Sequence, residues 1–73
     1  MVGERGEISA FIKAKRKEYG YTQKMFSIRS GLGLRFVREL EQGKKTLRMD
    51  KVKEALNFFG YDIGVKKMED VNE

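Results

Sequence analysis

Five glycines divide residues 8–60 of this chain into short segments, and this division is the strongest constraint on its fold. Within the segments the larger apolar residues recur every three or four positions, which is typical of one face of an α-helix. Glycine commonly ends a helix, and the sequence contains no proline. Since 73 residues are too few for two cores, the pattern predicts one all-α domain over residues 1–73. The five glycines are Gly20, Gly31, Gly33, Gly43 and Gly60.

Two helices are predicted in the first half of the chain. The first extends from Ile8 to Tyr19, and lysine and arginine fill most positions between its apolar residues. The second extends from Gln23 to Ser30, and Thr22 is placed to cap its N-terminus. Met25 stands where a capping box would have Glu or Gln, so we expect only a modest cap.

Two further helices are predicted after a tight turn at residues 31–33. Leu32 is expected to point inward and hold this corner. The third helix extends from Leu34 to Glu41 or Gln42, with Val37 and Leu40 facing the core. A basic loop leads to the fourth helix, which ends at Gly60. The apolar positions that define the fourth helix are Met49, Val52, Leu56 and Phe59.

The segment after Gly60 follows a different pattern. Tyr61, Ile63 and Val65 alternate with Asp62, Gly64 and Lys66, which predicts a short β-strand at about residues 61–67. A lone strand leaves its backbone groups unpaired, so we expect it to pair with the same strand of a second copy. A frayed, extended end is the alternative. The acidic tail, residues 68–73, is expected to be flexible.

The charge balance indicates a polyanionic partner. The chain has 16 Lys and Arg against 11 Asp and Glu, a net charge of +5. The basic residues form three groups, and the last residues are acidic. A solvated surface without a partner is the alternative explanation for such groups. The groups contain Lys13, Lys15, Arg16 and Lys17; Lys44, Lys45 and Arg48; and Lys66 and Lys67, whereas Glu69, Asp70 and Glu73 form the acidic end.

The residues that are missing argue against an enzyme. Without Cys or His, the chain has no disulfide, no thiol nucleophile, no imidazole base and none of the usual zinc sites. The carboxylates are scattered, so we predict no catalytic residue, no cofactor and no metal. The charged segment Met1–Glu7 leads into no long apolar stretch, so we expect neither a signal peptide nor a membrane span, and a cytoplasmic protein.

The two short helices and their glycine-bearing turn lie between a basic helix and a basic loop, as in a known DNA-binding motif. Over residues 8–60 the sequence resembles the Xre and phage-repressor helix-turn-helix family. The resemblance implies a lambda-repressor-like domain of four to five helices, with the helix-turn-helix at about residues 22–41, that represses transcription. The residues that carry it are Gly20, Tyr21, Thr22, Gln23, Phe26, Ser30, Gly31, Leu32, and the run Leu34, Arg35, Phe36, Val37, Arg38, Glu39, Leu40, Glu41, Gln42, Gly43 and Lys44.

Within that family, the sequence is most similar to the HipB-type antitoxins, through residues 34–52 and the strand-like end, residues 60–67. This similarity implies an antitoxin that binds a palindromic operator of its own toxin–antitoxin operon, and a toxin partner that resembles the kinase HipA. One alternative is a phage-type repressor without a toxin. Another is a helix-turn-helix module that contacts protein or RNA without reading a DNA sequence.

The candidate base-reading residues lie on the third helix, because an α-helix fits the major groove of B-DNA. Arg35 matches guanine O6 and N7 with its planar fork, and Leu34 suits a thymine methyl group. Glu39 either accepts from cytosine N4 or orients an arginine. For Arg38 and Glu39, exposure to solvent or a phosphate contact is the open alternative.

The candidate phosphate contacts flank the third helix. Gln23 and Lys24 begin the second helix, where free N–H groups and the positive end of the dipole favour an anion. Gly33 stands where the family usually has a Ser or Thr cap, so a cap and a hydroxyl contact to phosphate are weakened there. The basic residues after the third helix are expected to supply affinity more than specificity. They are Lys44, Lys45 and Arg48, with Thr46 among them.

Three further expectations concern packing. By resemblance to phage repressors, Arg16 of the first helix pairs with Glu41 of the third as a structural ion pair. Ser27 stands where the family usually has Ala, so its hydroxyl must bond a carbonyl of its own helix or meet water. The aromatic residues are expected in the core and at an interface, with Phe36 half exposed. An apolar dimer contact is predicted from Phe58, Phe59, Tyr61, Ile63 and Val65.

Overall fold

The computed structural model describes residues 2–64, and for residues 2–6 it describes the backbone alone. Within this part of the chain there are four α-helices and no strand. The all-α prediction is therefore confirmed. The helices are α1 (Val2–Glu18), α2 (Gln23–Ser30), α3 (Leu34–Glu41) and α4 (Met49–Phe58).

Helix α1 is longer than the sequence pattern predicts. We predicted a start at Ile8, whereas the helix begins at Val2 and ends at Glu18. Gly3 and Gly6 lower the helical propensity of this segment, and no apolar periodicity marks it, so the sequence gives no reason to begin earlier. Once the packed part of a helix has formed, however, each added residue gains one hydrogen bond without a new nucleation cost.

The core is formed by buried side chains from all four helices and from the α2–α3 turn. Phe26 is fully buried and its ring stacks on that of Phe59, with 5.1 Å between the centroids. The inward orientation predicted for Leu32, Val37 and Leu40 is confirmed, since each is at most 2% exposed. The buried apolar residues are Ile12, Phe26, Leu32, Val37, Leu40, Val52, Ala55, Leu56 and Phe59.

Met49, one of the apolar positions that mark α4 in the sequence, is not part of the core. Its side chain is 62% exposed, whereas Val52 and Leu56 of the same helix are buried. Met49 is the first residue of α4 and therefore lies at the end of the helix, beyond the edge of the core.

The turn between α2 and α3 has a defined hydrogen-bond pattern. Gly31 adopts a left-handed conformation at φ 81°, and its N–H donates to the carbonyl of Ser27 at 3.0 Å. The Ser27 hydroxyl donates to the carbonyl of Leu32 at 2.7 Å, so its partner lies in the turn, whereas we expected either a carbonyl of its own helix or water. Thr22 caps α2 as predicted, because its hydroxyl accepts from the N–H of Met25 at 3.0 Å.

An ion pair joins α1 to the end of α3. Arg16 Nε donates to Glu41 Oε2 at 2.7 Å, and Arg16 Nη2 donates to Glu41 Oε1 at 3.0 Å. The third nitrogen of the guanidinium donates to the backbone carbonyl of Tyr21 at 2.7 Å. This network fixes the orientation of α3 on the scaffold, because both side chains are nearly buried and each guanidinium nitrogen and each carboxylate oxygen has a hydrogen-bond partner.

After α4, residues 61–64 have no regular secondary structure, and residues 65–73 lie outside the described part of the chain. The strand predicted at residues 61–67 thus falls partly outside it, as do Val65 and the acidic tail. Pairing of this segment across a dimer stays a prediction. Among the helices of residues 2–64, none has the length and apolar character that crossing a membrane requires.

Candidate nucleic-acid interface

The outward face of α3 carries the predicted base-reading residues. Val37 and Leu40 occupy the buried face of this helix, and Arg35 and Arg38 lie on the opposite side. The Arg35 side chain is 91% exposed, and Arg38 is also exposed. Leu34 is half-buried, as is Phe36, which packs against the core. The helix therefore presents two arginines to solvent while its opposite face is packed in the core.

Glu39 lies between two basic side chains on this face. Its Oε2 accepts from Arg35 Nε at 3.3 Å and lies 3.4 Å from Lys44 Nζ. The side chain of Glu39 is 27% exposed, compared with 91% for Arg35 and 46% for Lys44. One carboxylate thus links the outward face of α3 to the loop that follows it.

The N-terminus of α2 is open to an anion. No acidic residue occupies its first turn, and Lys24 is exposed there. Gln23 is half-buried, and its Nε2 donates to Glu41 Oε1 at 3.0 Å. This bond uses one N–H of the Gln23 amide and leaves its oxygen and second N–H for other partners.

The N-terminus of α3 has no side-chain cap. Gly33 is the N-cap residue in an extended conformation, φ −69° and ψ 149°, and no acidic residue follows in the first turn. The exposed position has open space around it, since a Cβ built on Gly33 would meet no atom within 4 Å. Backbone N–H groups at this end of α3 are therefore accessible to an anion.

The loop after α3 carries the other predicted phosphate contacts. Lys44, Lys45 and Thr46 are exposed, whereas Leu47 packs against the core and holds the loop in place. Arg48 is engaged by Asp50 through two hydrogen bonds, Nε to Oδ1 at 3.2 Å and Nη2 to Oδ2 at 2.7 Å. The guanidinium lowers the pKa of the Asp50 carboxyl below its ordinary value, because its hydrogen bonds favour the charged form of that carboxyl.

The contacts of α3 bring several predicted residues together. Glu39 connects Arg35 to Lys44. Glu41, the last residue of α3, binds Gln23 at the start of α2. Two of these links, Glu39 to Lys44 and Gln23 to Glu41, were not predicted from the sequence, and neither was the pair of Arg48 and Asp50 at the start of α4. Only the pair of Arg48 and Asp50 had a local signal, because Asp50 is an acidic residue in the first turn of α4, two positions after the arginine.

The residues predicted for dimerisation differ in their exposure. Phe59 is 6% exposed and belongs to the core, so it has little surface left for a second copy. Phe58 is half-buried against that core. Tyr61 and Ile63 are 44% and 38% exposed, and the Tyr61 ring packs edge-on against Phe11 at 4.8 Å. A contact surface in the described residues would therefore rest on Tyr61 and Ile63.

Comparison with known proteins identifies relatives of this chain. A family model described as helix-turn-helix matches residues 12–66. Among curated proteins, the chain is similar to an uncharacterized HTH-type transcriptional regulator, y4mF, from Sinorhizobium fredii. The two are 36% identical over 59 residues, which is 81% of this chain and 78% of the relative. No solved structure matches the chain.

Proposed function

Because this chain belongs to the helix-turn-helix family of transcriptional regulators, we propose that it binds double-stranded DNA at a specific sequence and represses transcription. Helix α3 enters the major groove, and its exposed arginines contact base edges. The observation that carries this proposal is the 91% exposure of Arg35 on a helix whose other face is buried. A planar guanidinium held outward in this way suits the two acceptors of guanine.

The surroundings of α3 support the same function. Its flanks offer the N-termini of α2 and α3 and the basic loop, all of which suit phosphate groups. In this role Gln23, Lys24 and Gly33 contact phosphates at the N-terminal ends, while Lys44, Lys45, Thr46 and Arg48 contact them from the loop. Arg48 keeps its two hydrogen bonds to Asp50 and offers its remaining N–H groups, including both of Nη1, to a phosphate. At base edges, Arg35 is joined by Leu34 and Arg38, and Glu39 lies beside them on the same face of α3.

A homodimer on a palindromic operator is the arrangement we propose. Two copies related by a two-fold axis read half-sites about 34 Å apart, one turn of B-DNA. The segment from residue 61 to residue 67 pairs with its counterpart in the second copy, with Tyr61 and Ile63 as its exposed apolar residues in the described part. Since a domain of 73 residues has a small core, burying these side chains also adds to its stability.

The antitoxin role is a further part of this proposal. It rests on the resemblance to HipB-type proteins and on the family membership. In this role the protein represses its own operon and binds a HipA-like kinase toxin, acting on the nucleoid of a bacterium and catalysing no reaction itself. Co-purification of the full chain with the product of the neighbouring gene tests it. A phage-type repressor would bind operator DNA equally well without such a partner.

DNA recognition is tested by competition. Duplexes selected by the protein from a random pool are compared with scrambled duplexes of the same length at fixed salt. Specific binders usually discriminate by about 10³-fold or more, and we expect that range here. Discrimination below about tenfold would contradict the repressor function and favour a module that contacts protein or RNA.

A further inference from the structure

Glu39 occupies an unusual position for an acidic residue on a surface proposed to face DNA. Its Oε2 receives the Arg35 Nε at 3.3 Å and lies 3.4 Å from the Lys44 Nζ. The carboxylate is more enclosed than either cation, since its side chain is 27% exposed against 91% and 46%. Glu39 thus lies between a basic group of α3 and a basic group of the loop that follows it, and it is less exposed than either.

Helix stability does not account for this carboxylate. Arg35 precedes Glu39 by four residues, which places the cation nearer the N-terminus and the anion nearer the C-terminus of α3. This order opposes the helix dipole and is the weaker of the two arrangements for an i,i+4 pair. A negative charge on this face also repels phosphates, so it reduces affinity for any duplex.

We propose that Glu39 is a positioning residue that fixes the Arg35 guanidinium for base recognition, an inference that rests on the proposed function. Glu39 engages Arg35 through Nε, which leaves both Nη groups as parallel donors for guanine O6 and N7. An exposed arginine otherwise loses rotamer freedom on binding, and a preformed contact reduces that loss. Because the same carboxylate also contacts Lys44, it holds the basic loop in a fixed position relative to α3.

The test compares three proteins on two duplexes. The variant is Glu39→Gln, and the matched control is Asp50→Asn. The control also removes one negative charge from an exposed arginine–carboxylate pair, but it does so at Arg48, outside α3. Affinities for the duplex selected by the wild type and for a scrambled duplex are measured over a range of salt concentrations, and thermal melting checks that each variant is folded.

For Glu39→Gln we expect tighter binding to scrambled duplex, with a salt slope steeper by up to about one unit. Discrimination between the two duplexes should fall about 2- to 12-fold. This range corresponds to the free-energy cost of immobilising one long side chain, which Arg35 would incur on binding once Glu39 no longer holds it. Asp50→Asn should tighten binding to both duplexes and leave discrimination unchanged. Equal discrimination by Glu39→Gln and the wild type would overturn the proposal.

The alternative is that Glu39 accepts directly from cytosine N4. Introducing Glu39→Gln into an Arg35→Ala background separates the two roles. A positioning residue has no further effect on discrimination once Arg35 is absent, whereas a residue that contacts a base retains its full effect, and that result would overturn the proposal.

If the wild type itself selects no sequence, the proposed function fails and this role fails with it. If the wild type selects a sequence and Glu39→Gln discriminates between the duplexes equally well, the proposed function stands and the positioning role is wrong.

Discussion

Arg16 and Glu41, 25 positions apart in the chain, form a bidentate ion pair that is almost fully enclosed. Only 10% of the Arg16 side chain and 3% of the Glu41 side chain are exposed to solvent. The pair crosses from α1 to the last turn of α3, and Glu41 also accepts from the Gln23 amide at the start of α2. One carboxylate therefore joins three helices next to the proposed DNA surface.

We expect Glu41→Ala to destabilise the fold before it alters base preference. Removing one partner leaves the Arg16 charge buried and uncompensated, which costs about 3–5 kcal/mol. In a domain of this size each kcal/mol lowers the melting temperature by about 4–8 °C. Thermal melting measures the effect. The double variant Arg16→Met/Glu41→Leu should recover much of the loss, because a matched apolar pair carries no desolvation penalty. An unchanged melting temperature in Glu41→Ala would contradict this account.

Gly33→Ser should stabilise the protein. Gly33 has a negative φ and free space where a Cβ would be, so serine fits without strain and its hydroxyl can cap α3. The gain is about 0.5–1 kcal/mol, which includes the reduced entropy of the unfolded chain. Denaturant unfolding measures it. Gly31→Ala is the contrasting control, because φ is 81° there and the variant should lose about 1–2 kcal/mol.

Lys45→Ala should weaken DNA binding without changing specificity. If Lys45 contacts a phosphate, its removal lowers the affinity for selected and scrambled duplexes alike and reduces the salt slope by about 0.9. Titrations at several salt concentrations measure the slope. Lys17→Ala removes the same charge from an exposed site on α1 and should leave the slope nearly unchanged. Equal slopes for the two variants would mean that Lys45 acts only through net charge.

Asp62 should titrate below its ordinary pKa. The Lys53 ammonium, 2.6 Å from its carboxylate, lowers the pKa of Asp62, and the N–H of Ile63 lowers it further. Since the folded-state pKa is depressed, any stability from this contact is present above the unfolded pKa and is lost as pH falls through the folded one. In Lys53→Met the carboxyl titration, followed by NMR, should move upward. Lys51→Met should leave it unchanged. A wild-type midpoint at or above 3.8 would contradict the contact.

Ile63→Glu should dissociate the proposed dimer. Ile63 is 38% exposed within the segment predicted to pair, and a charge there opposes burial against a second copy. Sedimentation of the full chain at several concentrations measures the change. Ile28→Glu, at a 70% exposed site on α2, is the control and should leave the mass unchanged. Dissociation by the α2 variant alone would move the dimer contact to that helix.

Much of the fold could be predicted because its signals are local. Glycine and apolar spacing indicated α2, α3 and α4 to within a residue or two, and a single hydroxyl indicated the Thr22 cap. The start of α1 could not be predicted, since helix extension over Gly3 and Gly6 leaves no pattern in the sequence. Met49 fits the spacing of a buried residue, but its place at the end of α4 leaves it exposed.

The sequence by itself determined the bounds of α2, α3 and α4 to within a residue or two and which faces of α3 are apolar or basic, because these properties depend on residues within one or two turns. Only the tertiary structure decided which polar groups meet. The Ser27 hydroxyl bonds the turn, Glu39 contacts both Arg35 and Lys44, and Glu41 binds Gln23 in addition to Arg16, the partner that the family resemblance implied. Such contacts depend on how helices cross and how loops return, and a charged side chain has several partners within reach until packing brings one of them close.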